Sequence, residues 1–249
     1  MKIIALYSIK GGVGKTATCV NLAYLAAESG HSTLLCDLDP QGAASYYFRI
    51  RASRKHSGKR ILKSKKKVDK NIKGTDFENL DLLPSDLSYR NLDLILNKLK
   101  KSKNRLKDML KSYQEDYDYI FLDCPPNITL VSENVFRAAQ VILVPVIPTS
   151  LSMLTHEKLT SFFKKHQYQT NKLLSFFSMV EKRKKMHQDI MADISQKKEP
   201  YLKTLIPYAA DIEKMGLHRK PIFLFRGSSP AAEAYRSLWK ELTQHRKLQ

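Results

Sequence analysis

Ile9-Lys10-Gly11-Gly12-Val13-Gly14-Lys15-Thr16 is the stretch whose reading decides the fold. Lys15 follows a glycine and precedes a hydroxyl residue. In this arrangement backbone N–H groups cradle phosphates, the lysine reaches the terminal phosphates and the hydroxyl takes Mg²⁺. The strict G-x-x-x-x-G-K-[ST] pattern fails at its first glycine, which Ile9 replaces, and the loop opens instead with Lys10-Gly11-Gly12. A second lysine that early in the loop cannot share the role of Lys15, so two lysines imply two tasks.

The flanks supply the context that such a loop requires. Lys2 to Ser8 is a short apolar run expected to form a buried strand. Thr16 to Glu28 carries apolar residues at helical spacing and ends before Gly30, a helix-terminating residue. Strand, glycine loop and helix therefore follow in the order that phosphate binding needs.

Outward from the loop, apolar runs alternate with amphipathic segments. Ser32–Cys36, Leu80–Leu83, Tyr119–Asp123, Val141–Val146, Leu173–Met179 and Leu202–Ile206 are the expected strands. The alternation predicts a single α/β domain over residues 1–249, with a mainly parallel twisted sheet flanked by helices on both faces and ligands at the carboxyl ends of its strands. No Pro/Gly/Ser-rich linker divides the 249 residues. The cysteines Cys19, Cys36 and Cys124 lie in apolar stretches without C-x-x-C spacing, which predicts core packing and excludes a disulfide or zinc framework. No apolar run approaches the ~18 residues that span a bilayer, and Met1 leads directly into the first strand, so a cytoplasmic protein is expected.

Acids close two of these strands. Cys36-Asp37-Leu38-Asp39-Pro40-Gln41-Gly42 ends the second, and Asp123-Cys124-Pro125-Pro126 ends a later one. A strand-end acid beside a phosphate loop orients Mg²⁺, and a second acid positions the attacking water. Asp123 suits the first task and Asp39 the second.

Together, Lys10–Thr16, Asn21-Leu22-Ala23, Asp37–Gly42 and Leu122–Pro126 resemble the deviant-Walker ATPases of the ParA/MinD class, and the ParA branch most. The resemblance implies ATP and Mg²⁺ as cofactors and a slow, partner-stimulated hydrolase that forms an ATP-sandwich homodimer. It makes Lys10, Lys15 and Asp39 the catalytic residues. Gly11, Gly12, Val13, Gly14, Lys15, Thr16 and Ala17 become the nucleotide-binding stretch, and Thr16, Asp123 and Asp37 the metal-proximal group. Lys10 is the side chain that reaches the partner's nucleotide. Adenine contacts fall near Val146–Thr149 and Ser178–Arg183. A ParB-like or cargo-adaptor protein is the implied activator, and the nucleoid the implied location.

Forty-three Lys and Arg against 24 Asp and Glu give a formal charge of +19, which calls for a polyanionic partner. The residues 49–73 form a basic excursion whose lone acid is Asp69, expected to be mobile. A second basic group comprises Arg219, Lys220, Arg226 and Arg236 around a helix opening at Gly227-Ser228-Ser229-Pro230; the resemblance implies non-specific DNA binding in this region. Two alternatives stand beside this reading. A MinD-like membrane-associated ATPase would need a terminal amphipathic anchor, which His245–Gln249 lacks, so no membrane partner is expected. A cofactor-biosynthetic synthetase would have no use for Lys10.

Overall fold

The computed structural model describes residues 1–53, 57, 65–100, 102–196, 201–246 and 248. In chain order, the elements are β1 (Lys2–Leu6), α1 (Lys15–Glu28), β2 (Thr33–Asp37), α2 (Ala43–Tyr47), α3 (Lys65–Asp69), β3 (Lys73–Gly74), β4 (Leu80–Leu83), α4 (Leu92–Asn97) and α5 (Arg105–Lys111). There follow β5 (Tyr119–Asp123), α6 (Leu130–Ala138), β6 (Val141–Val146), α7 (Ser150–Lys165), β7 (Leu173–Val180), α8 (Lys185–Gln196) and β8 (Tyr201–Pro207). The short α9 (Ala210–Glu213), α10 (Met215–His218) and α11 (Phe223–Arg226) lead into α12 (Pro230–Thr243).

The strands form one eight-stranded sheet in the order β3-β4-β2-β5-β1-β6-β7-β8, parallel throughout except for the β3–β4 pair. Alternation along the central strands sends side chains to two cores. Ile3 and Ala5 of β1 join Ile120 and Leu122 of β5 under α5, α6 and α7, while Ile4, Leu6 and Phe121 pack under α1 and α12. A strand covered on both faces must be apolar at successive positions, which is why β5 and β6 are buried at every residue. The three cysteines are free and buried, as expected.

Helix α1 is buried along most of its circumference because its alanines admit close packing between the sheet and α12. It ends in a Schellman motif: Gly30, at φ +84°, donates its N–H to Ala27, and His31 donates to Ala26. At the sheet's far edge the Glu241 carboxylate of α12 accepts the N–H groups of Lys203 (2.6 Å) and Thr204 (2.9 Å) and the Thr204 hydroxyl (2.7 Å). That capping blunts an edge strand that would otherwise offer unpaired amides.

Two expectations need correction. β2 runs one residue further than predicted, because the parallel ladder to β5 continues to an Asp37–Asp123 register pair. The basic run is not wholly a mobile excursion. Arg54, Lys55, Lys59, Arg60 and Lys63, with Gly58, lie outside the described residues, but 65–73 is docked. Val68 is fully buried, Tyr113 donates to Asp69 at 2.7 Å, and Lys65 pairs with Asp116. One apolar residue among the lysines and the single acid of the run suffice to seat it.

Candidate functional site

β1 lies between β5 and β6, so its carboxyl end opens at the point where the chain's connections leave in opposite directions. Ligands of such sheets bind at this crevice. The loop after β1 reaches it by two left-handed residues, Gly12 (φ +70°) and Gly14 (φ +87°). A side chain at Gly14 would also press to 3.1 Å from Ser178 Oγ of β7. The backbone of Gly11–Gly14 is thereby folded ahead of the first turn of α1, whose N–H groups carry the helix's positive end.

Lys15 is 7% exposed, and its ammonium donates to the Lys10 carbonyl at 3.3 Å. That bond folds the loop back on itself and aims Lys15 inward. Burial pushes the Lys15 ammonium below its usual value, while the charges of Asp123, Cys124 and Asp39 pull it back up. The Lys10 side chain is in contrast half-exposed at the loop's outer edge, and no carboxylate among the described residues pairs with it.

Behind the loop, Asp37 and Asp123 are both fully buried and face each other across adjacent strands. They differ in partners. Asp37 Oδ2 accepts the Ser45 N–H (2.8 Å) and hydroxyl (2.7 Å), and Oδ1 accepts the Asp39 N–H (3.3 Å), so this carboxylate holds the start of α2 in place. Neither oxygen of Asp123 has a partner with hydrogen-bond geometry. Burial pushes Asp37 up to about 6, opposed by the Ser45 bonds. Burial, and then the Asp37 charge, push Asp123 well above the carboxylate range, and nearby Thr16 and Lys15 draw it back only partly.

Two buried carboxylates beside one desolvated lysine leave net negative charge in a low-dielectric setting, which is costly without a further cation. The orphaned oxygens of Asp123 and the half-buried Thr16 therefore suit a hydrated divalent ion. No cluster of three or more His, Cys, Asp or Glu that could hold a metal alone occurs among the described residues. Such an ion would accordingly complete its shell with Thr16, water and phosphate oxygens. Asp39 stands half-exposed at the mouth, its carboxylate fixed by the Gln41 N–H at 2.9 Å and its carbonyl by the Gly42 N–H at 2.9 Å.

The structure thus brings Lys15, Thr16, Asp37, Asp39 and Asp123 to one crevice. Sequence reasoning did not find Ser45, and it expected Ser178 at the start of an adenine-contact segment rather than against the phosphate loop. Ser45 follows Asp37 by eight residues and Ser178 lies 164 residues after Gly14, and no local pattern marks either. The other basic group is more engaged than expected. Arg219 donates to the Tyr46 carbonyl (3.1 Å) and lies over the Tyr46 ring, Arg226 faces Asp211 (3.5 Å), and Arg236 bonds Glu233 (2.5 Å) and the Gly227 carbonyl (2.6 Å). Lys220 is half-exposed.

Comparison with known proteins gives a consistent answer. The AAA domain family (AAA_31) matches residues 1–176. The sporulation initiation inhibitor protein Soj of Bacillus subtilis is 32% identical over 247 residues, covering 97% of this chain and 98% of Soj. Among solved structures, a plasmid partition protein of Borrelia burgdorferi bound to AMPPNP superposes with a TM-score of 0.84 at 24% identity, over 98% of each chain. Cobyrinic acid a,c-diamide synthase of Mycobacterium smegmatis with bound ADP and magnesium gives 0.80 at 23% identity, over 98% of this chain and 95% of the synthase. These two share the fold. With the family match and the Soj relationship added to the phosphate loop and its buried acids, the chain belongs to the ParA/MinD-type P-loop ATPases.

Proposed function

We propose that the protein is a ParA-type positioning ATPase: an ATP·Mg²⁺-bound homodimer that holds non-specific DNA and lets go when a partner stimulates hydrolysis. The observation that carries this reading is the division of labour between the two loop lysines. Lys15 is turned inward and buried. Lys10 bonds Lys15 through its carbonyl, and its half-exposed side chain has no carboxylate partner among the described residues. Such a cation can offset charge on the terminal phosphate of a second subunit's nucleotide, so ATP favours the dimer and ADP does not.

Within the site, the N–H groups of Gly11–Gly14 and the start of α1 bind the phosphates, and Lys15 contacts the β/γ oxygens. Thr16 and Asp123 would hold Mg²⁺, which when bound would offset charge on the phosphates. Asp37 positions α2 through Ser45 and so fixes the Asp39 loop. Asp39 orients the attacking water, and no residue of the site is assigned as its general base; turnover unaided by a partner is therefore slow. Closure of a second subunit over the mouth would exclude bulk water from it.

Arg219, Lys220, Arg226 and Arg236 are the proposed DNA contacts. The ion pairs of Arg226 and Arg236 lie at the surface, where such pairs are weak, so phosphates can compete for these guanidinium groups. Arg219 is tied to Tyr46 of α2, which links this group to the Asp37–Ser45 anchor and gives the nucleotide state a physical route to the DNA surface. The cobyrinic acid synthase shares the scaffold, so the fold alone does not select the timer over the synthetase; the free Lys10 ammonium favours the timer. Among the described residues no helix is long and apolar enough to cross a membrane. The test is retention of random-sequence duplex by Asp39→Ala protein. It should be retained with ATP and not with ADP, and equal retention in both would overturn the reading.

A further inference from the structure

At the amino ends of β1, β6 and β7 is a shallow cavity of about 360 Å³, lined by Lys107, Arg137 and Lys172 together with Gln140, Gln169 and Asn171. A five-residue strand spans about 16 Å, so this cavity and the phosphate loop lie at opposite ends of the sheet. No acid lines it. The nearest carboxylate on the same helix, Glu133, is already bound by Lys103 (2.7 Å) and by the Tyr168 hydroxyl (2.5 Å).

The three cations come from separate elements and line one space. Lys107 projects from α5. Arg137, in the last turn of α6, lies over the Tyr168 ring at 5.5 Å from its centroid, which restrains the guanidinium. Lys172, just before β7, donates to the Phe136 carbonyl at 3.2 Å. This bond covers the carbonyl end of α6 that would otherwise repel an anion, and two ammonium N–H groups remain to be used. Gln140 is fixed because its Oε1 accepts the Ile3 N–H at 2.7 Å, which leaves its NH₂ as a donor. Burial, and then the Lys107 charge, push the Lys172 ammonium below its usual value. Like charges gathered without an acid are costly unless an anion joins them.

We propose that this cavity is a second phosphate-binding site: Lys107, Arg137 and Lys172 take the oxygens of one phosphate or pyrophosphate group, from a soluble phosphorylated compound or from a nucleic-acid backbone. Planar guanidinium and mobile ammonium groups around amide donors match that chemistry. The inference does not rest on the ATP switch, and a failed Lys10 test leaves it intact.

The experiment is calorimetric titration of inorganic pyrophosphate into protein already saturated with ADP·Mg²⁺. Wild type should bind one pyrophosphate, and K107Q/R137Q/K172Q should bind it at least 10-fold more weakly while melting cooperatively. Should the triple variant not fold, the exposed single change Lys107→Gln should weaken binding about threefold. A second arm separates the sources. A salt slope for duplex DNA reduced by about 1–2 in the variant, at −0.9 per phosphate, assigns the site to the backbone. An unchanged slope with pyrophosphate binding lost assigns it to a soluble compound. No pyrophosphate binding in wild type, or equal binding in the variants, overturns the proposal.

Discussion

The two ends of the sheet carry opposite charge and treat it in opposite ways. At the carboxyl ends, Asp37 and Asp123 are wholly buried, and one of them has no partner for either oxygen. At the amino ends, Lys107, Arg137 and Lys172 sit around a shallow hollow close to water. Buried charge is expensive and acts strongly on whatever enters; charge near water costs less and acts more weakly. The first end is suited to chemistry on a bound nucleotide, and the second to holding a phosphate that comes and goes.

The largest effect belongs to the buried end. Lys15→Ala removes the ammonium balancing the acids and should lower ATP turnover by at least about 100-fold, a scale set by loss of one oriented donor from a dry site. Multiple-turnover phosphate release measures this, and wild-type rates would dissolve the contrast between the two ends.

Asp123→Asn sharpens the contrast in a second way. Turnover should fall about 100-fold, yet the nucleotide-free protein should melt several degrees higher at neutral pH, since each 1 kcal/mol is worth about 2–4 °C at this size. The sign follows from the direction of the shifts. Asp37, near 6, and Asp123, pushed well above the carboxylate range by burial, hold protons more tightly when folded than an unfolded carboxyl near 3.9 does. The resulting stability is present below about pH 4 and lost as pH rises through 6 and beyond. The melting advantage of Asp123→Asn over wild type should therefore widen from pH 4 to pH 7.5; a constant gap would mean that Asp123 is not strained by burial.

A smaller change is expected at Gly14→Ala. The left-handed backbone and the 3.1 Å approach to Ser178 should cost about 1–3 kcal/mol and loosen nucleotide binding. Calorimetric ATP affinity together with a melting curve would register both. The smallest effects fall on the exposed cations: Lys220→Gln or Arg236→Gln should each reduce the salt slope of DNA binding by at most about 1. A larger drop from either would mean that the surface charge is more concentrated than its loose pairing implies.

The same contrast explains how much of the molecule was legible in its sequence. The loop, the strand-end acids and β1, β4, β5 and β6 are local patterns: glycines at fixed offsets, and short runs dominated by apolar residues because both faces of the strand are covered. Ser45, and the approach of Ser178 to Gly14, escaped because both arise through tertiary contacts. β3 escaped because two residues carry no period. In the run 49–73, twelve cations obscured the anchoring roles of Val68 and Asp69, which only Tyr113 and the adjoining core reveal. The phosphate-sized hollow at the amino ends was equally hidden, since its cations lie 30 and 35 residues apart along the chain.

The most direct test of the central claim is sedimentation equilibrium of Asp39→Ala protein with ATP·Mg²⁺, with ADP·Mg²⁺, and with ATP·Mg²⁺ after a further Lys10→Ala change. The account predicts twice the monomer mass in the first sample and monomer mass in the other two. A single mass across all three would contradict it.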